Sequence, residues 1–293
     1  IGGGSVIDSA KAISLGTAYE GDVWDFFTGK NEPKDSMKVG VVLTIPGSGS
    51  EMSESSIISN EELSMKCVCD TEKNFPVFSI LDPQVCFTIP PYLMACGVTD
   101  IMSHLMERYF SQAEHTELSD ALLEAAMRTV VEFGPKIMEE PKNYNNAAQI
   151  MWSATVAHNG MIACGRIADW SSHRIEHEIS AIYDITHGAG MAIVFPAWMK
   201  YVNEENLAVF ENFAVKVFGV EKSEDKKETA LKGITKLEEF FKSLGLKTSL
   251  SESGIGEENF EIMAEKALGG SETLGRFKKL TKEDIVNILK ISK

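Results

Sequence analysis

Trp170-Ser-Ser-His173-Arg-Ile-Glu176-His177-Glu-Ile-Ser-Ala-Ile-Tyr-Asp-Ile-Thr-His187-Gly-Ala-Gly190 holds half of the chain's six histidines. His173 and His177 are four residues apart, so on a helix they share one face. His187 follows ten residues later, just before a Gly-Ala-Gly segment that reads as a turn. Upstream, Gly97-Val-Thr-Asp100-Ile-Met-Ser-His104-Leu-Met-Glu107 carries a second pair at the same spacing, Asp100 and His104. A lone histidine on a helix is more often structural than a ligand. One carboxylate and several imidazoles on two helices and a turn, however, suit a single divalent ion. Spacing leaves open which of Asp100, His104, His173, His177 and His187 bind it, and whether the two segments meet.

Working outward, 293 residues are enough for one large domain or two ordinary ones with an ample core. No apolar run reaches the length of a membrane span. A net charge of −15 argues against a nucleic-acid backbone or an anionic membrane as partner. The five cysteines lack a regular framework and read as reduced thiols in a cytoplasmic protein. Cys67-Val-Cys69 has no second pair to complete a metal site and reads as small apolar residues on a strand.

The chain opens on Ile1-Gly-Gly-Gly-Ser5-Val-Ile-Asp8-Ser-Ala-Lys11. Ser5 followed by Asp8 is a helix-start signal; Val6, Ile7, Ala10 and Ile13 then keep helical spacing, and Gly16 is a C-cap candidate. Glycines ahead of a helix N-terminus let backbone N–H groups approach a pyrophosphate, although three glycines alone would equally make a plain turn. Such a loop normally follows a strand, of which Ile1 would be the last residue, so the chain reads as a fragment. A turn-rich stretch (20–30) precedes a buried strand, Val39 to Ile45, which empties into Pro46-Gly-Ser-Gly-Ser50-Glu51, a second Gly/Ser loop. Lys66 to Cys69 and Val77 to Ile80 read as further strands, and Asp82-Pro83 ends this part. Two such loops after strands are what a nucleotide-binding half-domain needs.

From about Tyr92 helical patterns follow one another. Leu118, Leu122, Ala125 and Val130 predict one face of a helix stopped by Gly134-Pro135. The segment Asn146 to Cys164 reads as a buried helix. Leu231, Ile234, Leu237 and Phe241 form a stripe ended by Gly245. Phe260 to Leu268 is a shorter helix, Thr281 and Asp284 cap the last, and 221–228 reads as a solvated loop and helix start. The fold class is therefore α/β followed by all-α, with the metal-type residues in the helical part.

Gly2-Gly-Gly-Ser-x-x-Asp8-x-Ala-Lys11, Thr44-x-Pro46-x-x-Gly49-Ser50-Glu51, Asp100-x3-His104 and His173-x3-His177-x9-His187-Gly together resemble the iron-containing (group III) alcohol dehydrogenases. Trp24-Asp-Phe-Phe, Phe78-Ser-Ile-Leu-Asp-Pro and the run from Glu176 to Gly188 resemble the branch of butanol dehydrogenases and broad aldehyde reductases. The resemblance spans essentially the whole chain. It implies a dehydroquinate synthase-like fold, with part of a dinucleotide-binding α/β domain over residues 1–90 and a helical metal-binding domain over 91–293. It implies Asp100, His104, His173 and His187 as metal ligands, and His177 as a proton relay beside the ion. Gly3, Gly4 and Ser5 match the pyrophosphate loop, Asp8 the place where cofactor and substrate meet, and Thr44, Ser48, Lys66 and Leu81 further cofactor contacts. Position 48 is often threonine in the family, and serine keeps the hydroxyl.

The activity implied is reduction of short, uncharged aldehydes to primary alcohols by NADH or NADPH, and the reverse, with Fe(2+) as the ion and Zn(2+) as the alternative. A homodimer is the implied assembly. Family members carry further strands and helices before the glycine motif, including the segment that helps choose NAD or NADP. The expectation is therefore that residues 1–293 alone bind metal but hold dinucleotide weakly and turn over little. A glycerol dehydrogenase or a dehydroquinate synthase-like lyase shares the layout but uses a different ligand set. A catalytically silent metal- or nucleotide-binding scaffold is the reading from another class. His177-Glu178 lacks the second histidine of a zincin hydrolase.

Overall fold

The glycine triplet leads directly into α1 (Gly4–Gly16) in the computed structural model, which describes residues 1–62 and 65–293. The Gly3 carbonyl accepts from the Val6 and Ile7 amides, both at 3.1 Å, so the first turn closes on glycine rather than on a Ser5 side chain. Thr17, not Gly16, closes the other end. The buried face is Ile7, Asp8, Lys11, Ala12 and Leu15, while Val6 and Ile13 are exposed, which corrects the expected stripe. Polar partners cause the rotation. Lys11 Nζ donates to the carbonyls of Ser50, Ser53 and Ser55 at 2.7, 3.0 and 2.8 Å, and Asp8 Oδ1 accepts from Ser50 Oγ at 2.6 Å. Satisfied in this way, two charged side chains can be buried where apolar ones were expected.

The turn-rich stretch contains a one-turn helix, α2 (Trp24–Phe27), whose Phe26 and Phe27 are buried. Among the described residues four strands follow: β1 (Gly40–Leu43), β2 (Ser55–Asn60), β3 (Met65–Asp70) and β4 (Phe78–Leu81). β1 pairs with β4 in parallel, Leu43 opposite Leu81, and Gly2 forms a parallel bridge to Leu43. The ends of these neighbouring segments therefore line up. β2 and β3 make an antiparallel hairpin that lies against α1. β2 escaped the sequence reading because Ser55, Ser56, Ser59 and Asn60 give it too little apolar alternation. Phe78 and Ile80, on one face of β4, are exposed.

The helical part begins at α3 (Pro91–Tyr109), with proline in its first turn, where the missing N–H costs nothing. α4 (Glu117–Glu139) runs through Gly134-Pro135 instead of stopping there. Its buried face is Leu123, Met127, Val130, Gly134 and Ile137; Leu118 and Leu122 point to solvent. Gly134 lies close against Val98 and Phe240, so packing on two helices holds the proline turn helical despite the lost hydrogen bond. Then come α5 (Tyr144–His158), α6 (Ser171–Tyr183), α7 (His187–Val202) and α8 (Leu207–Phe218). α9 (Lys226–Ser243), α10 (Phe260–Leu268) and α11 (Lys282–Ile291) complete the chain. α9 buries Ile234, Leu237 and Phe241 as expected, with Leu231 at the exposed margin, and α11 carries the full Thr281/Asp284 capping box.

The core centres on Phe110, stacked on Phe210 at 4.5 Å between ring centroids and packed by Phe195, Trp198 and Phe213. Full burial of each such ring contributes about 1.5–3 kcal/mol. This buried cluster continues into Ile7, Val41 and Leu43. The strand ends are thereby held against the helices that carry the histidines.

Candidate metal centre

Gly188-Ala-Gly190 is not a turn but the first turn of α7, so His187 stands at a helix N-terminus. Both glycines permit close approach. A Cβ at Gly188 would strike the Cys96 carbonyl of α3, and one at Gly190 would strike the Glu176 carboxylate of α6. α7 therefore packs tightly on both helices, and His187 meets the residues they carry. His187 Nε2 lies 3.5 Å from Asp100 Oδ1, and His104 Nε2 lies 3.7 Å from the same oxygen. The donor atoms of Asp100, His104 and His173 all fall within 4.8 Å of one another. Ligands about 2.1 Å from a tetrahedral ion sit ~3.4 Å apart, so this spacing fits.

The unused atoms point the same way. Asp100 Oδ1 and His173 Nε2 are buried with no hydrogen-bond partner. An orphan cluster of this kind is costly unless something binds it. Burial holds the His104 and His187 rings well below the ordinary imidazole range, although Asp100 pulls His187 the other way. The rings are thus neutral, the form a metal requires. His177, Glu176 and His187 form a second group of possible metal donors, with the His177 ring 5.3 Å from that of His187. Burial depresses the His177 pKa also, reinforced by Lys66 and His187.

Two carboxylates escaped the sequence reading. Glu107 Oε1 accepts from His173 Nδ1 at 2.7 Å, and Glu176 Oε2 accepts from His187 Nδ1. Both carboxyls are pushed up by burial, with His173 pulling Glu107 back and Lys66 and His177 pulling Glu176 back. Their signal was spacing: each lies three residues after a candidate ligand, His104 or His173. His158 was missed as well. It ends α5, with its ring 4.6 Å from that of His104. Nothing local distinguishes it from a structural histidine. Of the six histidines only His115, exposed, lies outside the cluster.

The expected cofactor residues gather at the strand ends. Gly3 and Gly4 start α1, Thr44 follows β1, and Leu81 ends β4 beside Leu43. Thr44 N–H donates to the Gly2 carbonyl at 3.0 Å. Ser48 touches Gly4 closely enough that a Cβ there would strike its hydroxyl. Ser5 is exposed on the first turn of α1, whereas Asp8 is buried and engaged by Ser50. Pro46 and Gly47 rest on Gly97 of α3, one turn before Asp100, which brings the second Gly/Ser loop to the metal residues. Lys66, on β3, acts electrostatically on Asp8, Glu176, His177 and His187.

The profile described as "Iron-containing alcohol dehydrogenase" matches residues 1–83, and that of the "Fe-containing alcohol dehydrogenase family, C-terminal" matches 94–292. The chain belongs to the iron-containing alcohol dehydrogenase family. Its relatives include the probable NADH-dependent butanol dehydrogenase 1 of Bacillus subtilis, 44% identical over 293 residues, covering 100% of this chain and 76% of the relative. The NADPH-dependent aldehyde reductase YqhD of Escherichia coli is 34% identical over 270 residues, covering 91% of this chain and 69% of that one. Among solved structures, an NADH-dependent butanol dehydrogenase A from Thermotoga maritima superposes with a TM-score of 0.95 at 42% identity. That match covers 99% of this chain and 75% of the other. The family membership and fold expected from the motifs therefore stand. No helix among the described residues is long and apolar enough to cross a membrane.

Proposed function

We propose that this chain is a metal- and nicotinamide-dependent reductase of short, uncharged aldehydes that also oxidises the corresponding primary alcohols. The observation that carries the reading is the donor set: Asp100 Oδ1 and His173 Nε2, both buried and unpartnered, with His104 Nε2 at 3.7 Å and His187 Nε2 at 3.5 Å from Asp100 Oδ1. Asp100, His104, His173 and His187 hold the ion, with Fe(2+) first and Zn(2+) as the alternative. Three neutral imidazoles and one carboxylate leave a divalent ion with net positive charge. When bound, the metal supplies a Lewis acid for a carbonyl oxygen and the nicotinamide supplies a hydride.

Gly3, Gly4 and Ser5 present the N-terminus of α1 to the cofactor's pyrophosphate, while Thr44, Ser48 and Leu81 line the strand ends beside it. Asp8 ties α1 to the second Gly/Ser loop through Ser50. His177 hands a proton to the product oxygen. Its depressed pKa keeps the ring neutral at pH 7, so it relays a proton, taking one up on one nitrogen as it releases one from the other. The same reading assigns residues 1–90 to the cofactor and 91–293 to metal and substrate, in a cytoplasmic homodimer. It is supported by the names of the relatives, butanol dehydrogenases and an aldehyde reductase that use NADH or NADPH. The test is a substrate panel on metal-loaded protein with each nicotinamide. Butanal should be reduced with higher kcat/KM than keto acids; carboxylate-bearing carbonyls ahead of butanal by more than about tenfold would remove the reading.

A further inference from the structure

Glu107 and Glu176 sit outside the proposed ligand set, yet each holds one of its rings by Nδ1. The arrangement passes from helix to helix. Glu107 of α3 holds His173 of α6, and Glu176 of α6 holds His187 of α7. Each carboxylate accepts the Nδ1–H and so leaves Nε2 as the lone-pair nitrogen. Both are essentially sealed from solvent, with side-chain exposures of 1% and 0%. His104 has no such partner; its Nδ1 is orphaned.

The two carboxylates differ in what else they hold. Glu107 Oε2 also accepts the Trp170 amide at 2.6 Å, and Oε1 accepts the His173 amide at 3.3 Å. Trp170 caps α6 in the left-handed region, with φ +63° and no side-chain cap of its own, so Glu107 supplies the missing acceptor from another helix. Two partners of Glu107 are backbone N–H groups that can only donate, and the third, His173 Nδ1, must donate as long as Nε2 is the nitrogen left for the metal. Glu176 faces one such donor, His187, and one hydroxyl, Ser180 Oγ, which also reaches the Ile185 carbonyl at 2.9 Å. A hydroxyl can reverse its role.

We propose that Glu107 and Glu176 are the positioning residues that present His173 and His187 to the metal, and that they are not equivalent: Glu107 must be a carboxylate, whereas at Glu176 a neutral acceptor is enough. This rests on the ligand assignment above. In Glu176→Gln the amide oxygen accepts from His187, while its NH2 donates to Ser180 Oγ, whose proton remains free for Ile185. In Glu107→Gln the NH2 must face either the His173 ring N–H or the Trp170 amide, and one contact becomes a clash of donors.

The test measures metal affinity by chelator competition, with Zn(2+) as probe, together with the visible spectrum of the Co(2+)-loaded protein. Glu176→Ala should weaken binding by at least about tenfold, and Glu176→Gln should return to within about threefold of the parent with its spectrum unchanged. Glu107→Ala and Glu107→Gln should both stay weak and share an altered spectrum. Gly190→Ala, which drives a Cβ into the Glu176 carboxylate while leaving every ligand and both glutamates in place in the sequence, should weaken binding like Glu176→Ala. His173→Ala is the reference. Metal loss there with all carboxylate variants binding like the parent overturns this proposal and leaves the ligand assignment standing. Retention of metal by His173→Ala overturns the assignment itself. Equal behaviour of the two glutamine variants overturns the claimed difference. Where the Glu107 variants do not fold, Glu176→Ala binding as tightly as the parent is sufficient to overturn it.

Discussion

His173 and His177 stand one helical turn apart and are proposed to have different roles. His173 Nε2 is buried, unpartnered and close to Asp100 and His104, while His177 falls into the neighbouring group with Glu176 and His187. The expected outcome is that His187→Ala loses the ion, whereas His177→Ala keeps it and loses rate. Metal content per chain, measured on purified protein alongside single-turnover aldehyde reduction, checks both halves. A metal-free His177→Ala protein with intact fold would move His177 into the ligand set. The size of the contrast matters, because a residue that only supports a ligand weakens affinity by about 10–100-fold without abolishing it.

At the scale of elements, the site is a crossing of helices, and the crossing is set by what is absent from Gly188. With a Cβ there, α7 would have to rise off the Cys96 carbonyl of α3, taking His187 away from Asp100. Helix propensity alone would favour alanine by up to about 1 kcal/mol. Gly188→Ala should nevertheless lower the melting temperature and weaken metal binding by at least about tenfold. A calorimetric scan with and without metal separates the alternatives: a raised melting temperature in the metal-free protein would mean that the helices do not touch there. The same scale explains the miss at Gly134-Pro135. Local rules end a helix at that dipeptide, but Val98 and Phe240 pack against it and α4 continues one more turn. At α11 the local rule and the packing agree, and the capping box forms as written.

Across the whole molecule, the strand layer and the helices share a continuous core, while Lys11 pins α1 to the second Gly/Ser loop. Burial pushes the Lys11 ammonium down to about 8, with Asp8, Glu51 and Asp70 pulling it upward, so it is still charged at pH 7. Lys11→Met should cost about 3 kcal/mol at pH 7, because three carbonyls lose their donor. The pH dependence has a definite sign. Between about 8 and 10.5 the unfolded chain binds a proton that the folded chain has released, so stability rises with pH in the parent and not in the variant. The gap between them should therefore widen above pH 8 in urea titrations. A gap that narrows would mean that the carbonyl cage holds the charge more strongly than burial resists it.

The order of elements, the helical character of the second part, the last helix cap and the metal-type residues were legible in the sequence because each depends on spacing within a few positions. Asp100-x3-His104 and His173-x3-His177 fix a shared helix face wherever the helices lie. Ten residues of separation could not reveal that Gly188-Ala-Gly190 opens a helix, nor could a polar run reveal β2, whose strand character comes from pairing with β3. The glutamates that hold His173 and His187, and the approach of His158 to His104, were decided by the packing of α3, α5, α6 and α7. Local spacing sets which way a side chain faces; only the packed helices decide what it meets.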